Sequence, residues 1–238
     1  MDHRGDVVGL DFAAIWQQPY SKWMLEGIRV TLELSGVGII GSTGLALVLV
    51  LMRMSGNKVI EKISQGFVHF FRNTPFPVQI LFWYFGFPAI LPRSVQAFLY
   101  RGNFEFTAAA FALILYSGAY IAEHFRSGIV SIPKSQMESA LSSGLTYLQS
   151  MIHVILPQAF RISLPPLISE YLSIAKNSSV AMTIGVAEVT AMSRRVESYS
   201  FRAFEAFLVA SAVYLTLSLL TSLVLNWYNK RFLAAQQS

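Results

Sequence analysis

Apolar residues along the chain gather into five blocks separated by polar stretches, at about 28–52, 64–91, 104–123, 161–187 and 205–228. Each reaches the roughly 20 helical residues needed to cross a hydrocarbon core, so the pattern predicts an all-α membrane protein with about five transmembrane helices. In the first block, Thr31, Ser35, Gly38 and Ser42 recur at intervals of four and three. One face is therefore small, and a second helix can approach it closely. The second block contains Pro75 and Pro77. Prolines disrupt the helical ladder, and backbone groups freed at membrane depth must be buried in protein or line a wet cavity. Pro165-Pro166 are expected to open the fourth block, and the fifth ends in Trp227 and Tyr228 followed by Lys230 and Arg231, residues suited to a membrane interface.

Composition agrees: 54% of the residues are hydrophobic and 13% charged, against roughly 25% charged in a soluble domain. The net charge of +5 comes without a dense basic run or a basic face interleaved with aromatics, so no nucleic-acid partner is expected. The absence of cysteine excludes disulfides and thiolate chemistry. His3, His69, His124 and His153 lack metal-ligand spacing, and neither metal nor cofactor is expected in this chain. Residues 1–22 carry Asp2, Asp6 and Asp11 and no apolar run of the kind a signal peptide needs, so the first block is expected to be a retained anchor. The predicted division is a polar N-terminal segment 1–22, a membrane domain 23–230 and a tail 231–238. With the N-terminus outside, eight basic residues fall on each side, and the positive-inside rule does not decide the topology.

One polar stretch, 124–161, is too patterned for a flexible loop. Met137, Leu141, Leu145, Leu148 and Ile152 recur at three and four residues, predicting an apolar helical face opposite Glu138, Ser142, Gln149 and His153. Ser135 and Glu138 match a capping box at a helix start. Gly144 can take the left-handed conformation that ends a helix. The helix is expected to resume from Thr146 to about Val154 and to be interrupted again at Pro157. Taken alone, Glu138 reads as a cap and Gly144 as a helix stop.

Their combination is more specific. Glu138-Ser139-Ala140, Gly144 and Val154-Ile155-Leu156-Pro157 resemble the EAA loop of binding-protein-dependent ABC importer permeases, with Ser139 and Val154 as mild departures. Phe71-Arg72-Asn73-Thr74-Pro75, Ala122-Glu123 with Arg126-Ser127-Gly128-Ile129, and Lys176-Asn177-Ser178-Ser179 resemble the polar amino acid branch, which includes glutamate/aspartate and histidine/glutamine permeases. The resemblance covers roughly residues 24–230. It implies a MetI-like ABC permease fold in the bacterial cytoplasmic membrane. Its implied partners are ABC ATPase subunits, a second permease subunit (the same or different) and an outer solute-binding protein. It also implies that Glu138, Ala140, Gly144, Leu145 and Pro157 belong to a cytoplasmic coupling loop seated on the ATPase.

The fourth block places Ser169, Ser173, Lys176 and Thr183 within about 80° at 100° per residue, flanked by Glu170 and Asn177. Charges within a membrane are costly and mark wet or paired sites. This stripe is a candidate border of the translocation route, with Lys176 suited to a substrate carboxylate; snorkelling or pairing of Lys176 is the plainer reading. Tyr116, Tyr120 and Glu123 share a face of the third block, for which structural hydrogen bonding is the simpler role, and Arg72 would anchor the proline break. Gly36-Val37-Gly38-Ile39-Ile40-Gly41 fits a dinucleotide fingerprint formally, but no strand precedes it. No phosphate loop of the Gly-Lys-Ser or Gly-Lys-Thr type occurs, so ATP hydrolysis is expected on a separate subunit. An ion-coupled secondary transporter of a small polar solute, or a membrane assembly component, are the alternative readings.

Overall fold

The structure is a computed structural model and describes residues 10–228; the expected tail 231–238, together with Lys230 and Arg231, lies outside the described residues. Twelve α-helical segments occur in chain order: α1 (Phe12–Ile15), α2 (Tyr20–Met54), α3 (Lys58–Asn73), α4 (Phe76–Leu81), α5 (Phe87–Ala89), α6 (Arg93–Leu99), α7 (Phe104–Val130), α8 (Lys134–Ser142), α9 (Tyr147–Ser150), α10 (Leu156–Asn177), α11 (Val189–Ser200) and α12 (Ala203–Tyr228). No strand occurs among the described residues. Gly36 to Gly41 therefore sit within α2, without the strand that a dinucleotide site requires.

Four helical runs are long and apolar enough to cross a membrane: Tyr20–Met54, Phe104–Val130, Tyr147–Ile184 and Ala203–Val224. The second expected span, 64–91, is divided among shorter helices, none of which is among these four. Helix α3 stops where Thr74 swings to an extended conformation (φ −107°, ψ 130°), and α4 starts after Pro75 with Pro77 in its first turn. There the missing N–H of proline has no helical partner to lose.

Two wide turns of π-helix follow a common plan. Residues Phe82–Gly86 precede Phe87-Pro88, and residues Met151–Ile155 precede Leu156-Pro157. In each, the first residue after the turn donates its N–H to the carbonyl five residues back, Phe87 to Phe82 and Leu156 to Met151. An α-helical proline meets the carbonyl four residues before it, and a wide turn at that spot supplies the extra room. The expected interruption at Pro157 therefore does not occur, and the helical run is continuous from Tyr147 to Ile184. Pro165 and Pro166, expected to open the span, lie inside α10 instead.

Helices α2 and α7 form the largest interface, with α10 packed on α7. Thr31, Ser35, Gly38 and Ser42 are all buried, as the small face predicts, with Gly38 against Ile174 of α10 and Leu113 of α7 and Thr31 against Val189 of α11. Leu34, Phe76, Ile80, Leu113 and Ile184 make one core region, and Leu49, Val68, Ile121, Leu167 and Ile174 a second. Helices α7 and α10 approach closely at Gly128, where an added Cβ would run into the Ser163 hydroxyl and lie 2.7 Å from the Ala159 carbonyl oxygen, both of α10.

At the other end, Ile15, Met24, Val189, Val196 and Ala206 join α1, α2, α11 and α12. Glu188 caps α11 from within this region. It is fully buried and accepts hydrogen bonds from the Ala191 and Thr190 amides at 2.8 and 2.9 Å and from the Tyr214 hydroxyl at 2.5 Å. Burial pushes its carboxyl up from the ordinary range, against the opposing pull of those donors.

Candidate coupling and translocation sites

The stretch between α7 and α10 is a helix, a sharp turn and a second helix. Helix α8 ends at Ser143, after which Gly144 adopts φ +87°, a left-handed conformation that favours glycine. The Gly144 N–H donates to the Leu141 carbonyl at 3.0 Å and the Leu145 N–H to the Ala140 carbonyl at 3.3 Å. This pair of bonds is a Schellman motif, which satisfies carbonyls left over at a helix C-terminus. The capping box lies one helix later than expected. Pro133 precedes α8 with no side-chain cap, whereas the Thr146 hydroxyl accepts from the Gln149 amide at 3.3 Å and the Gln149 side chain accepts from the Thr146 amide at 2.9 Å. Ser135 and Glu138 are both exposed, and Pro133, whose φ of −57° suits a helix entry, sets the boundary without them.

Burial in this stretch follows a different face from the expected one. Ile132, Met151, Ile155 and Ala159 form its local core, with Met137 partly buried against them. Leu141, Leu148 and Ile152 instead remain 44%, 66% and 49% exposed. The reversal at Gly144 takes Met137 and Leu141 out of register with Leu148 and Ile152, so the single helical face expected across the stretch does not form. The outcome is a hairpin whose inner edge grips α7 and α10, while Leu141, Tyr147 and Leu148 project outward. Ala140 is buried, Leu145 half-buried and Gly144 exposed at the tip.

Along α10 the expected polar stripe divides. Ser169 and Lys176 are exposed, with Ser173 and Asn177 half-buried. The Ser173 hydroxyl donates to the Ser169 carbonyl at 2.9 Å and that of Ser169 to the Pro165 carbonyl at 3.3 Å, so these hydroxyls satisfy their own helix. Glu170 points the other way, 8% exposed and packed toward α7, and its Oε1 and the buried Ser117 Oγ have no hydrogen-bond partner among the described residues. Thr183 lies beyond Asn177 in a 3-10 segment, Ser178–Ile184. That segment turns about 120° per residue, so the angular register assumed for Thr183 at 100° does not apply.

A polar relay runs from the middle of α7 toward its C-terminus. The Tyr116 hydroxyl donates to that of Tyr120 at 3.5 Å, and the Tyr120 hydroxyl to the Arg72 carbonyl at 3.2 Å. The Arg72 guanidinium lies 5.1 Å from the Tyr120 ring centroid. Glu123 then gathers three arginines from three helices. Arg126 of α7 approaches its carboxylate at 2.6 Å, Arg53 of α2 at 3.3 Å and Arg72 of α3 at 3.9 Å. The sequence does not reveal this centre because Arg53 and Arg126, near the ends of apolar blocks, read as interhelical charges. The available signal was Glu123 and Arg126, one turn apart within an apolar helix, where unpaired charge is expensive.

The chain matches the family described as binding-protein-dependent transport system inner membrane component over residues 38–234. It is 38% identical over 204 residues to a probable amino-acid ABC transporter permease protein of Vibrio harveyi, covering 86% of this chain and 89% of that one. The glutamine transport system permease protein of Escherichia coli strain K12 is 34% identical over 221 residues (93% and 97% covered), and the glutamate/aspartate import permease protein of the same strain 29% over 217 (89% and 88%). Among solved structures, an amino acid ABC transporter crystallised with histidines aligns over 94% of this chain and 99% of that one, with a TM-score of 0.82 and 30% identity. An inward-facing methionine ABC transporter aligns over 92% and 98%, with a TM-score of 0.66 at 18% identity, a likeness of fold. With four membrane-length helices, a small-faced α2–α7 pair and the α8–α9 hairpin in place, the chain belongs to the inner membrane permeases of binding-protein-dependent ABC transporters.

Proposed function

We propose that this chain is the membrane subunit of an ATP-driven importer for a polar amino acid, with the α8–α9 hairpin as the surface that receives an ABC ATPase subunit. The observation that carries the reading is the outward edge of that hairpin. Leu141, Tyr147 and Leu148 are 44%, 61% and 66% exposed on a segment whose opposite edge is locked into the bundle. Apolar side chains held outward on a rigid turn suit a groove of a partner protein. Glu138, exposed on α8, would flank that contact, and Gly144 and Leu145 would form its tip.

The relatives named for glutamine and for glutamate/aspartate favour a polar amino acid as cargo. Ser169, Ser173, Lys176 and Asn177 would border the route, most of them on the face of α10 turned away from this chain's own core, where a second permease subunit would complete the passage. Glu170 would act from behind that face, through α7. ATP would be consumed on the ATPase, and a solute-binding protein would deliver the cargo at the opposite side.

The test is co-purification of an affinity-tagged permease with its ATPase. Leu148→Glu is expected to abolish recovery of the ATPase while the permease keeps its melting temperature. Full recovery with Leu148→Glu and with Leu141→Glu would reject the docking surface. Uptake of labelled glutamine in proteoliposomes carrying the whole complex, competed by glutamate and by arginine, then sorts the cargo.

A further inference from the structure

The charged centre around Glu123 lies in an open cavity of about 380 Å³ lined by Arg53, His69, Arg72, Tyr120, Glu123 and Arg126 among others. Three guanidinium groups face one carboxylate here, and even with Glu61, which acts on Arg53 from the adjoining cleft, the balance stays positive. Glu123 is already engaged by all three, yet Arg53 is 14% exposed and its buried Nε has no hydrogen-bond partner among the described residues. A cluster of this kind costs free energy unless further negative charge reaches it. The cavity also adjoins the break at Thr74-Pro75, through Arg72 at the end of α3. Interrupted backbone at membrane depth survives where it is buried in protein or borders water, which makes the cavity a wet one and not a lipid-facing groove.

We propose that Arg53, Arg72 and Arg126 form a carboxylate-binding site on the hairpin side of the passage, a second stop for cargo beyond the α10 stripe. It rests on the amino-acid reading above for the identity of its ligand. The chemical match is the α-carboxylate, which every amino acid carries whatever its side chain. Guanidinium forks bind carboxylates through paired N–H bonds, and the Arg72 and Arg126 forks, 38% and 39% exposed, are open to an arriving oxyanion where Arg53 at 14% is not. Glu123 would hold the three arginines together between visits and, as a resident anion, compete with the ligand, so that binding stays weak enough for release.

The experiment is arginine labelling by phenylglyoxal of the permease–ATPase complex in nanodiscs, read by peptide mass spectrometry at Arg72 and Arg126 with exposed Arg93 and Arg101 as references. Acetate and glutamine are expected to slow labelling of the cluster and to spare the references; glutaminamide, which lacks the α-carboxylate, is expected to leave it unchanged. Arg53→Gln should raise the half-protecting acetate concentration about tenfold, the effect of losing one charge-assisted hydrogen bond. Glu123→Gln should lower it, and acetate should raise the melting temperature of that variant more than that of the wild type. A merely structural cluster would not give this opposite pair of signs.

Equal protection by glutamine and glutaminamide would overturn the proposal, as would no protection by acetate. So would protection conferred by phosphatidylglycerol over phosphatidylcholine nanodiscs without added acetate, which would assign the cluster to a lipid phosphate. If acetate protects while no amino acid is taken up by the intact complex, the carboxylate site stands and the cargo assignment falls.

Discussion

Gly144 offers the sharpest separation between stability and function. Its φ of +87° lies where a side chain meets the backbone unfavourably, yet a Cβ built there has no atom within 4 Å. Substitution therefore carries a conformational cost and no packing cost. For an L-residue in the left-handed region that cost is about 1–2 kcal/mol, less for Asn, which visits the region more readily, and greater for β-branched Val. The loss falls on the two bonds that close the turn, Gly144 N–H to Leu141 and Leu145 N–H to Ala140. It does not touch the Met151–Ile155 anchor. Opening the hairpin tip by about 1.4 kcal/mol cuts the closed population relative to open roughly tenfold, whereas the melting temperature of the bundle should move by less than about 4 °C. The expected order of uptake and of ATPase stimulation in proteoliposomes is Gly, then Asn, then Ala, then Val, with melting temperatures nearly level. An order following side-chain volume, with Ala above Asn, would refute the reasoning. So would a Gly144→Val melting temperature depressed as far as that of a core truncation such as Leu113→Ala.

Gly128→Ala drives a methyl group against the Ala159 carbonyl and is expected to cost about 1–3 kcal/mol, read as a drop of several degrees in melting temperature; a neutral result would show that α7 and α10 slide apart easily. Glu123→Gln leaves three guanidinium groups uncompensated at the junction of α2, α3 and α7. A loss of about 2–3 kcal/mol is expected, below the cost for a fully enclosed pair because Glu123 is 17% exposed, and Glu123→Asp should recover part of it. For Glu188 the sign follows from burial raising its folded value. Its favourable contribution is complete below the unfolded value of about 4.3 and is lost as pH rises through the folded one. Melting temperature should therefore fall from acidic to neutral pH more steeply in the wild type than in Glu188→Gln, and parallel curves would contradict the assignment.

Periodicity found the long helices because each needs only a continuous apolar run, and the α2 small face was legible because close packing constrains four positions at once. The second block was readable as broken, since Pro75 leaves few other options. What failed depended on phase. Proline reads as a boundary, yet Pro157 sits within a helix eased by a wide turn, and Pro165 and Pro166 lie inside α10. The reversal at Gly144 ends one helical register and starts another, and the hairpin buries Met151 and Ile155 where Leu141 and Leu148 are expected. At Gly144 the local chemistry was sufficient, because a left-handed cap needs no knowledge of distant residues. The Glu123 centre was invisible for the opposite reason: its arginines come from positions 53, 72 and 126 and meet only in the folded bundle.

The wide turn at Met151–Ile155 fixes the angular relation between the hairpin tip and the Lys176 end of α10. The helical run Tyr147–Ile184 is continuous, so Tyr147 and Lys176 stand at opposite ends of roughly 40 Å of helix, with an angular offset to which that one turn contributes. Deleting a single residue from Met151–Ile155 would straighten the ladder and rotate the far end by about 100°, leaving every part in place but out of time with the others.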